Sequence, residues 1–169
     1  EMRRLLSIPD TRTESGIRDR AMLELLYGSG LRRNELLRLQ LCDVDLSGET
    51  AFIRSGKGQK DRVVPMTAWA ALWIARYIRV RPPMPEAKLF LGIFSRRGFS
   101  HAYFRPHFRI LFAKAGMERV TVNAIRHACA LHLLEGGADV VSLAKLLGHA
   151  SVETTARYLA LSTRHLAKM

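Results

Sequence analysis

The sequence predicts a mainly α-helical domain that carries a small antiparallel β-sheet, an α+β fold. Apolar residues recur at helical spacing over most of the chain, whereas alternating strand-like residues are confined to the stretch 50–65. The 169 residues, 48% of them hydrophobic, are enough to build one globular core. A single domain of this class is therefore expected.

The first half of the chain begins with a helix in "EMRRLL". A second helix is predicted over residues 17–27, with Gly28 and Gly30 ending it and one apolar side formed by Ile17, Met22, Leu25 and Leu26. The segment "LRRNELLRL" then forms a short helix directly after a Gly-Ser-Gly turn. These three helices precede the only convincing hairpin.

The hairpin is predicted from residues 51–54 and 62–64, joined by a glycine-containing loop that holds Lys57 and Lys60. Helical spacing returns over residues 66–77. We expect the apolar aromatic and leucine side chains of that helix to lie in the core, namely Trp69, Leu72, Trp73 and Tyr77. The following "RPPMPEAK" is typical of a proline-rich surface connection.

The segment "FSRRGFSHAYFRPHFRILFAKAG" interleaves aromatic residues with arginines, and two interpretations stay open. The aromatics and arginines together could contact a nucleic acid. Alternatively, the arginines are merely solvated on a helix whose core side is formed by Phe104, Phe108, Leu111 and Phe112. Pro106 either starts this helix or kinks it.

The last strong helices are predicted over residues 123–134 and 140–147, separated by the turn "EGGAD". Gly148 ends the second of them and leaves His149 in the turn. Ser151 can cap a further helix, with Glu153 in its first turn, before Tyr158. This arrangement could direct His149 and Tyr158 toward one point.

The charge balance favours a polyanionic partner such as nucleic acid. Lys and Arg number 27 against 15 Asp and Glu, a formal net charge of +12. Residues 81–120 hold eight basic and two acidic residues, half of that excess.

Other features restrict the class of protein. No run reaches the roughly 18 apolar residues of a membrane span, and we expect no membrane partner. Cys42 and Cys129 have no CxxC spacing, so both are expected to be core thiols in a reducing cytosol. His127 and His132 lie five apart on a helix and do not share a face, so no metal site is expected there.

Four segments taken together in this order resemble the catalytic domain of the tyrosine recombinases, also called the phage integrase family: "GSGLRRNEL", "SGKGQKDR", "NAIRHACALHLL" and "LGHASVETTARY". The resemblance covers nearly the whole chain. Matched position by position to the family's motifs, it gives the candidate catalytic residues Arg32, Lys57, Arg126, His149 and Tyr158. Asn123 stands three residues before Arg126, where the family usually has histidine.

The resemblance implies a role for each residue. Arg32 and Arg126 would hold the non-bridging oxygens of a phosphodiester by forked, permanently charged donors. Tyr158 would be the nucleophile, Lys57 the general acid with Lys60 as the alternative, and His149 a hydrogen-bond partner of the phosphate or the nucleophile. Asn123 can donate a hydrogen bond but cannot exchange a proton.

Further residues would support the site or contact DNA. Glu35 follows Arg32 by three residues and is expected to buttress the site. The candidate DNA contacts are Arg33, Lys60, Arg96, Arg97, Arg105 and Arg109.

The implied activity is site-specific DNA strand exchange through a covalent 3′-phosphotyrosine and a Holliday junction, without metal or nucleotide cofactor. The implied partners are double-stranded DNA and further copies of the chain in a homotetramer, with a monomer possible without DNA, in the cytoplasm at the nucleoid. Residues 1–169 would be the catalytic domain with a docking tail at 162–169, and an N-terminal helical DNA-binding domain would be absent. Asn123 leaves a non-cleaving DNA-binding accessory protein as the alternative, and a relative with the same chemistry but another product as a third possibility.

Overall fold

The computed structural model of the chain describes residues 1–54, 61–92, 95 and 97–148. In this part, the chain forms α1 (Met2–Leu6), α2 (Glu14–Ser29), α3 (Arg33–Arg38), a 3-10 helix (Leu41–Asp43), β1 (Val44–Asp45), β2 (Thr50–Ile53), β3 (Arg62–Pro65), α4 (Ala68–Val80), α5 (His101–Lys114), α6 (Val122–Glu135) and α7 (Val140–Leu147). The predicted fold class is confirmed, since the strands form one small antiparallel sheet in the order β1-β2-β3.

Helix α2 runs through the core and is longer than predicted. Its N-cap is Thr13, whose hydroxyl accepts a hydrogen bond from the Gly16 N–H. Its C-cap is Gly30, which adopts φ 59°. The sequence predicted that Gly28 helps to end the helix, but Gly28 lies inside it. A Cβ at Gly28 would meet the Thr67 hydroxyl at 2.8 Å, so this glycine allows the start of α4 to approach.

The predicted hairpin is present with a register that pairs Ala51 with Val64 and Ile53 with Arg62. The sequence did not indicate the third strand, β1, which pairs with β2 through Val44 and Asp45. Two residues are too few to show the alternation that identifies a strand. The sheet therefore has one more strand than the sequence predicted.

Helix α4 buries a different face from the one expected. Trp73 and Tyr77 are buried as predicted, but Trp69 is 63% exposed and Leu72 is 40% exposed. The buried face of this helix consists of Ala70, Ala71, Trp73, Ile74 and Tyr77. The alanines have short side chains, which suits close packing of α4 against its neighbours, and this turns Trp69 and Leu72 toward solvent.

Helix α5 has the apolar core side that one of the two interpretations of its sequence predicted, and its contact with nucleic acid remains a prediction. The four predicted core residues of this helix are buried: Phe104, Phe108, Leu111 and Phe112. The helix begins after the capping residue Ser100, so Pro106 lies inside it rather than at its start. A buried network fixes the helix to α2: His107 lies 2.7 Å from Asp19, which accepts hydrogen bonds from Arg18.

The two cysteines differ in their surroundings. Cys129 is buried as expected, and burial raises the pKa of its thiol to about 11. Cys42 is exposed, so its assignment to the core was wrong. It is the second residue of the short 3-10 helix, and a segment of three residues is too short for apolar periodicity to show which side chains are buried. No helix in the described part of the chain is long and apolar enough to cross a membrane.

Helices α6 and α7 lie close to their predicted bounds. Asp139 caps α7 by accepting hydrogen bonds from the N–H groups of Val141 and Ser142. Gly148 ends it with φ 63°, as predicted. Leu143 and Leu147 of α7 pack with Ala130 of α6 in a small separate core, which fixes the end of α7 beside α6.

Candidate active site

Arg126 is a buried arginine on α6 that joins the ends of two other helices. Its side chain donates hydrogen bonds from Nη1 to the Gly30 carbonyl and from Nη2 to the Leu147 carbonyl, both at 2.6 Å. The residue is 5% exposed. These carbonyls lie at the C-terminal ends of α2 and α7, where helices have unpaired oxygens and partial negative charge. A guanidinium group supplies hydrogen-bond donors for these oxygens and a positive charge beside the negative helix ends.

Arg32 reaches the same place from α3. It is the N-cap residue of that helix, and its Nη2 donates to the Gly148 carbonyl at 2.9 Å. Its Nη1 lies 3.2 Å from Glu35 Oε1, and its backbone N–H donates to Glu35 Oε2 at 2.7 Å. Glu35 thus holds both ends of Arg32, as expected for a supporting residue. The Arg32 side chain is 32% exposed.

The two candidate phosphate-binding arginines are therefore brought together by the end of α7. They donate to the carbonyls of consecutive residues, Leu147 and Gly148. Gly30 and Gly148 make this approach possible: both adopt positive φ, and a Cβ on Gly30 would meet Leu147 Cδ2 at 2.7 Å. Their guanidinium groups hence lie at one point of the fold although 94 residues separate them in sequence.

Glu35 is an ionised carboxylate in a buried position, 8% exposed. Burial alone would raise its pKa. Hydrogen bonds from Arg62 and from the Arg32 backbone, with the charges of both arginines, outweigh burial and lower the pKa below its ordinary value. The group therefore remains charged at neutral pH and keeps Arg32 in place.

A cleft of about 760 Å³ opens beside Arg32 and Arg126. Among the described residues that line it, six arginines stand against the single acid Glu118: Arg32, Arg33, Arg105, Arg109, Arg119 and Arg126. Aromatic residues of α5 form part of its wall. A cleft with this excess of positive charge attracts polyanions and concentrates them at the arginine pair.

Asn123 lies in the first turn of α6 and lines the same cleft. The helix N-terminus offers backbone N–H donors there, and the Asn123 amide adds another. His127 also lines the cleft, and the sequence had not indicated this. Its pKa is lowered by burial and by the charge of Arg126, which favours the neutral imidazole.

The remaining sequence-predicted site residues are either outside the described part of the chain or away from the described lining of the cleft. Lys57, Lys60, Arg96, His149 and Tyr158 lie outside the described residues. Arg97 is exposed, and it does not line the described cleft. Part of the basic charge of residues 81–120 is structural, since Arg81 donates to the carbonyls of Glu86, Lys88 and Leu89 in the proline-rich connection. Within the described part, no group of three or more His, Cys, Asp or Glu residues could hold a metal ion.

Sequence reasoning missed Arg62. Its side chain is 13% exposed and forms an ion pair with Glu35 at 2.9 Å. A signal was present, because Arg62 and the buried Val64 lie two residues apart on β3 and so share a face of the strand. An arginine on the core face of a strand needs a buried acceptor.

Two converging arginines beside a basic cleft suit the binding of a polyanion. Comparison with known proteins identifies the family of this chain. Residues 1–165 match the model of the phage integrase family. The chain belongs to that family, and the resemblance stated from the sequence is confirmed.

Individual relatives agree with this assignment. The chain is 42% identical over 171 residues to tyrosine recombinase XerC 2 of Ralstonia nicotianae, covering 98% of this chain and 49% of the relative. It is 39% identical over 178 residues to tyrosine recombinase XerD of Xanthomonas axonopodis pv. citri, covering 98% of this chain and 58% of the relative. The chain thus spans about half the length of these relatives.

Solved structures share the fold. The crystal structure of XerA recombinase superimposes with a TM-score of 0.84 at 31% identity, over 97% of this chain and 62% of that one. The catalytic domain of bacteriophage HP1 integrase gives a TM-score of 0.65 at 23% identity, over 98% of this chain and 87% of that one. The described helices and sheet are therefore those of a tyrosine recombinase catalytic domain.

Proposed function

We propose that this chain is the catalytic domain of a tyrosine-type site-specific recombinase that cleaves and rejoins DNA strands. The observation that carries the proposal is the convergence of Arg32 and Arg126 on the end of α7, at the edge of a cleft lined by arginines. The names of its relatives, tyrosine recombinases, support the same activity.

The arginine pair stabilises the negative charge that develops on the phosphate during cleavage. Attack on a phosphodiester concentrates negative charge on its non-bridging oxygens, and two guanidinium groups held in advance stabilise it without reorganising. Each guanidinium has five N–H donors, so binding a backbone carbonyl and binding a phosphate are compatible. Backbone carbonyls and Glu35 fix the two groups before DNA arrives.

Tyr158 is the proposed nucleophile. Its phenolic oxygen attacks phosphorus, a P–O bond to tyrosine forms, and the bond to the 5′ oxygen of the next nucleotide breaks. The product is a 3′-phosphotyrosine and a strand with a free 5′ hydroxyl. Because the phosphodiester is retained as a phosphotyrosine ester, the 5′ hydroxyl of a partner strand can reverse the step without ATP.

Protons are handled by the proposed partners of this step. The leaving 5′ oxygen takes a proton from Lys57, with Lys60 as the alternative donor. His149 hydrogen-bonds a phosphate oxygen or the nucleophile. In the second role it accepts the phenolic proton of Tyr158; in the first, that proton passes to water and the arginine pair stabilises the phenolate. Asn123 replaces the family's usual histidine and serves as a neutral donor, supported by its position in the first turn of α6 and in the cleft.

The proposed partner is duplex DNA, whose backbone lies along the arginines of the cleft. Two bound duplexes and four copies of the chain would exchange strands through a Holliday junction, with residues 162–169 docking on a neighbouring copy. A cytoplasmic, nucleoid-associated location follows from a DNA substrate.

Covalent trapping tests the proposal. A pool of duplexes with a randomised region and a nick beside it is incubated with the protein, and adducts are detected on a denaturing gel. Wild-type protein is expected to form an adduct because the cut fragment diffuses away and religation fails, while Tyr158→Phe is expected to form none. Trapping by both proteins would mean that another residue is the nucleophile.

Comparing DNA cleavage by wild-type protein and by Asn123→His distinguishes the recombinase from the non-cleaving accessory protein. If the usual histidine serves only as a donor, Asn123→His changes cleavage little; if it serves as a base, Asn123→His raises the rate by about 10²- to 10⁴-fold. DNA binding without any adduct, from wild type and from Asn123→His alike, would favour the accessory protein.

The salt dependence of DNA affinity tests whether the arginines of the cleft contact the DNA backbone. Each phosphate neutralised contributes about −0.9 to the slope of log K against log salt concentration. Arg105→Gln and Arg109→Gln are each expected to reduce that slope by about 1. Arg79→Gln, which changes an exposed arginine of α4 outside the described cleft lining, is the matched control.

A further inference from the structure

Arg62 connects groups that the chemistry needs but lines no part of the described cleft itself. It is the first residue of β3 and pairs with the buried Ile53 of β2. Its Nη1 and Nη2 donate to the two carboxylate oxygens of Glu35 at 2.9 and 3.0 Å. Such a forked pair fixes both the position and the plane of a carboxylate.

The same guanidinium also binds the end of α7. Its Nε donates to the Leu146 carbonyl at 3.1 Å. The carbonyls of the next two residues accept hydrogen bonds from Arg126 and Arg32. Three consecutive carbonyls at the C-terminal end of α7 are therefore held by three different arginines, where unpaired oxygens and the helix dipole favour cations.

Gly148 fits this arrangement closely. A Cβ at this position would lie 2.9 Å from Arg62 Cζ, so the guanidinium occupies the space that a side chain would need. The positive φ of Gly148 ends α7, and His149 is the next residue in the sequence. The Arg62 guanidinium thus packs against the residue that precedes a candidate catalytic histidine.

Three separate segments meet at this one side chain. The first carries Arg32 and Glu35, the second is the start of β3, five residues after Lys57, and the third is the end of α7 before His149. Hydrogen bonds with directional geometry hold these segments, so a small displacement of Arg62 moves Arg32 through Glu35.

We propose that Arg62 is a positioning residue for DNA cleavage, which rests on the recombinase function proposed above. It fixes Arg32 through Glu35 and fixes the end of α7 through Leu146, without contacting the reacting phosphate. Lysine is a poor replacement, because its donors sit on one nitrogen and lack the planar fork that binds both Glu35 oxygens while Nε binds the Leu146 carbonyl.

The test compares Arg62→Lys and Arg62→Met with Arg54→Met. Arg54 directly follows β2, the other strand of the same hairpin, and forms an ion pair with the buried Asp43, so its loss also removes the ion-pair partner of a buried acid. It makes no described contact with Glu35 or α7, which makes it a matched control for destabilisation. For each variant, the single-turnover rate of adduct formation is measured on one nicked duplex selected from the pool by wild-type protein. DNA affinity is measured in a Tyr158→Phe background, and the free energy of unfolding is measured in urea.

Both Arg62 variants are expected to form the adduct about 10- to 100-fold more slowly, with DNA affinity unchanged, because misplaced reactive groups slow the chemical step rather than binding. Arg54→Met is expected to keep the wild-type rate although it is less stable. Wild-type rates in Arg62→Lys, or equal slowing in Arg62→Met and Arg54→Met, would overturn the inference alone. Absence of an adduct from wild-type protein would overturn the recombinase function and this inference with it.

Discussion

Removal of Arg126 is expected to destabilise the fold as well as impair cleavage. Arg126→Ala removes two buried hydrogen bonds, to the carbonyls of Gly30 and Leu147. Substitution of Arg32, the other arginine at the end of α7, removes a side chain that is 32% exposed, so water can reach its former partners. The two arginines share a proposed chemical role, but Arg126 is expected to contribute more than Arg32 to the free energy of unfolding.

The magnitude follows from the groups left behind. A buried carbonyl that loses its donor costs about 1–3 kcal/mol, so two of them cost about 2–6 kcal/mol, with about 4 kcal/mol as the central value for Arg126→Ala. Arg126→Lys can still satisfy one carbonyl and is expected to cost about half as much. Arg32→Ala is expected to cost about 1 kcal/mol, since its ion pair with Glu35 is partly solvated.

Urea unfolding followed by circular dichroism measures these differences, with an unchanged slope against urea as the check that unfolding remains two-state. We expect the order of stability to be wild type, Arg32→Ala, Arg126→Lys and Arg126→Ala. If Arg126→Ala were no less stable than Arg32→Ala, the conclusion that Arg126 joins the ends of α2 and α7 would be wrong. Cleavage by Arg126→Ala should accordingly be measured only where it is folded.

Three more predictions concern the surroundings of the site. Gly148→Ala is expected to lose more stability than Gly137→Ala in urea: both have positive φ, which costs about 1–2 kcal/mol, but only at Gly148 does a Cβ meet a neighbour, 2.9 Å away. Glu35→Gln is expected to reduce the free energy of unfolding at pH 7, and to reduce it less as the pH falls below the ordinary Glu pKa of 4.5. The reason is that the lowered pKa of Glu35 in the folded state stabilises the protein above pH 4.5, and this stabilisation is lost as the pH falls through the folded-state pKa. A pH-independent cost would contradict this. Trp73→Ala is expected to cost about 3 kcal/mol or more, whereas Trp69→Ala, 63% exposed, should change the melting temperature little; equal costs would contradict the assigned face of α4.

The sequence by itself determined the features that depend on near neighbours along the chain. Capping and apolar spacing arise within about one helical turn, which is why α7 and its end at Gly148 and the buried phenylalanines of α5 were predicted correctly. The motif resemblance also identified the family from short segments. Each of these signals is local, so no knowledge of the packed structure was needed.

Only the tertiary structure decided which groups face each other. Two overlapping helical faces were available in α4, and packing chose the one with Ala70 rather than Trp69. The partner of Arg62 lies 27 residues away in Glu35, and its second partner lies 84 residues away in Leu146. Contacts over such separations depend on how distant elements pack, and local propensity carries no information about them. The partners of Arg62, which support the arginine pair, were therefore visible only in the folded chain.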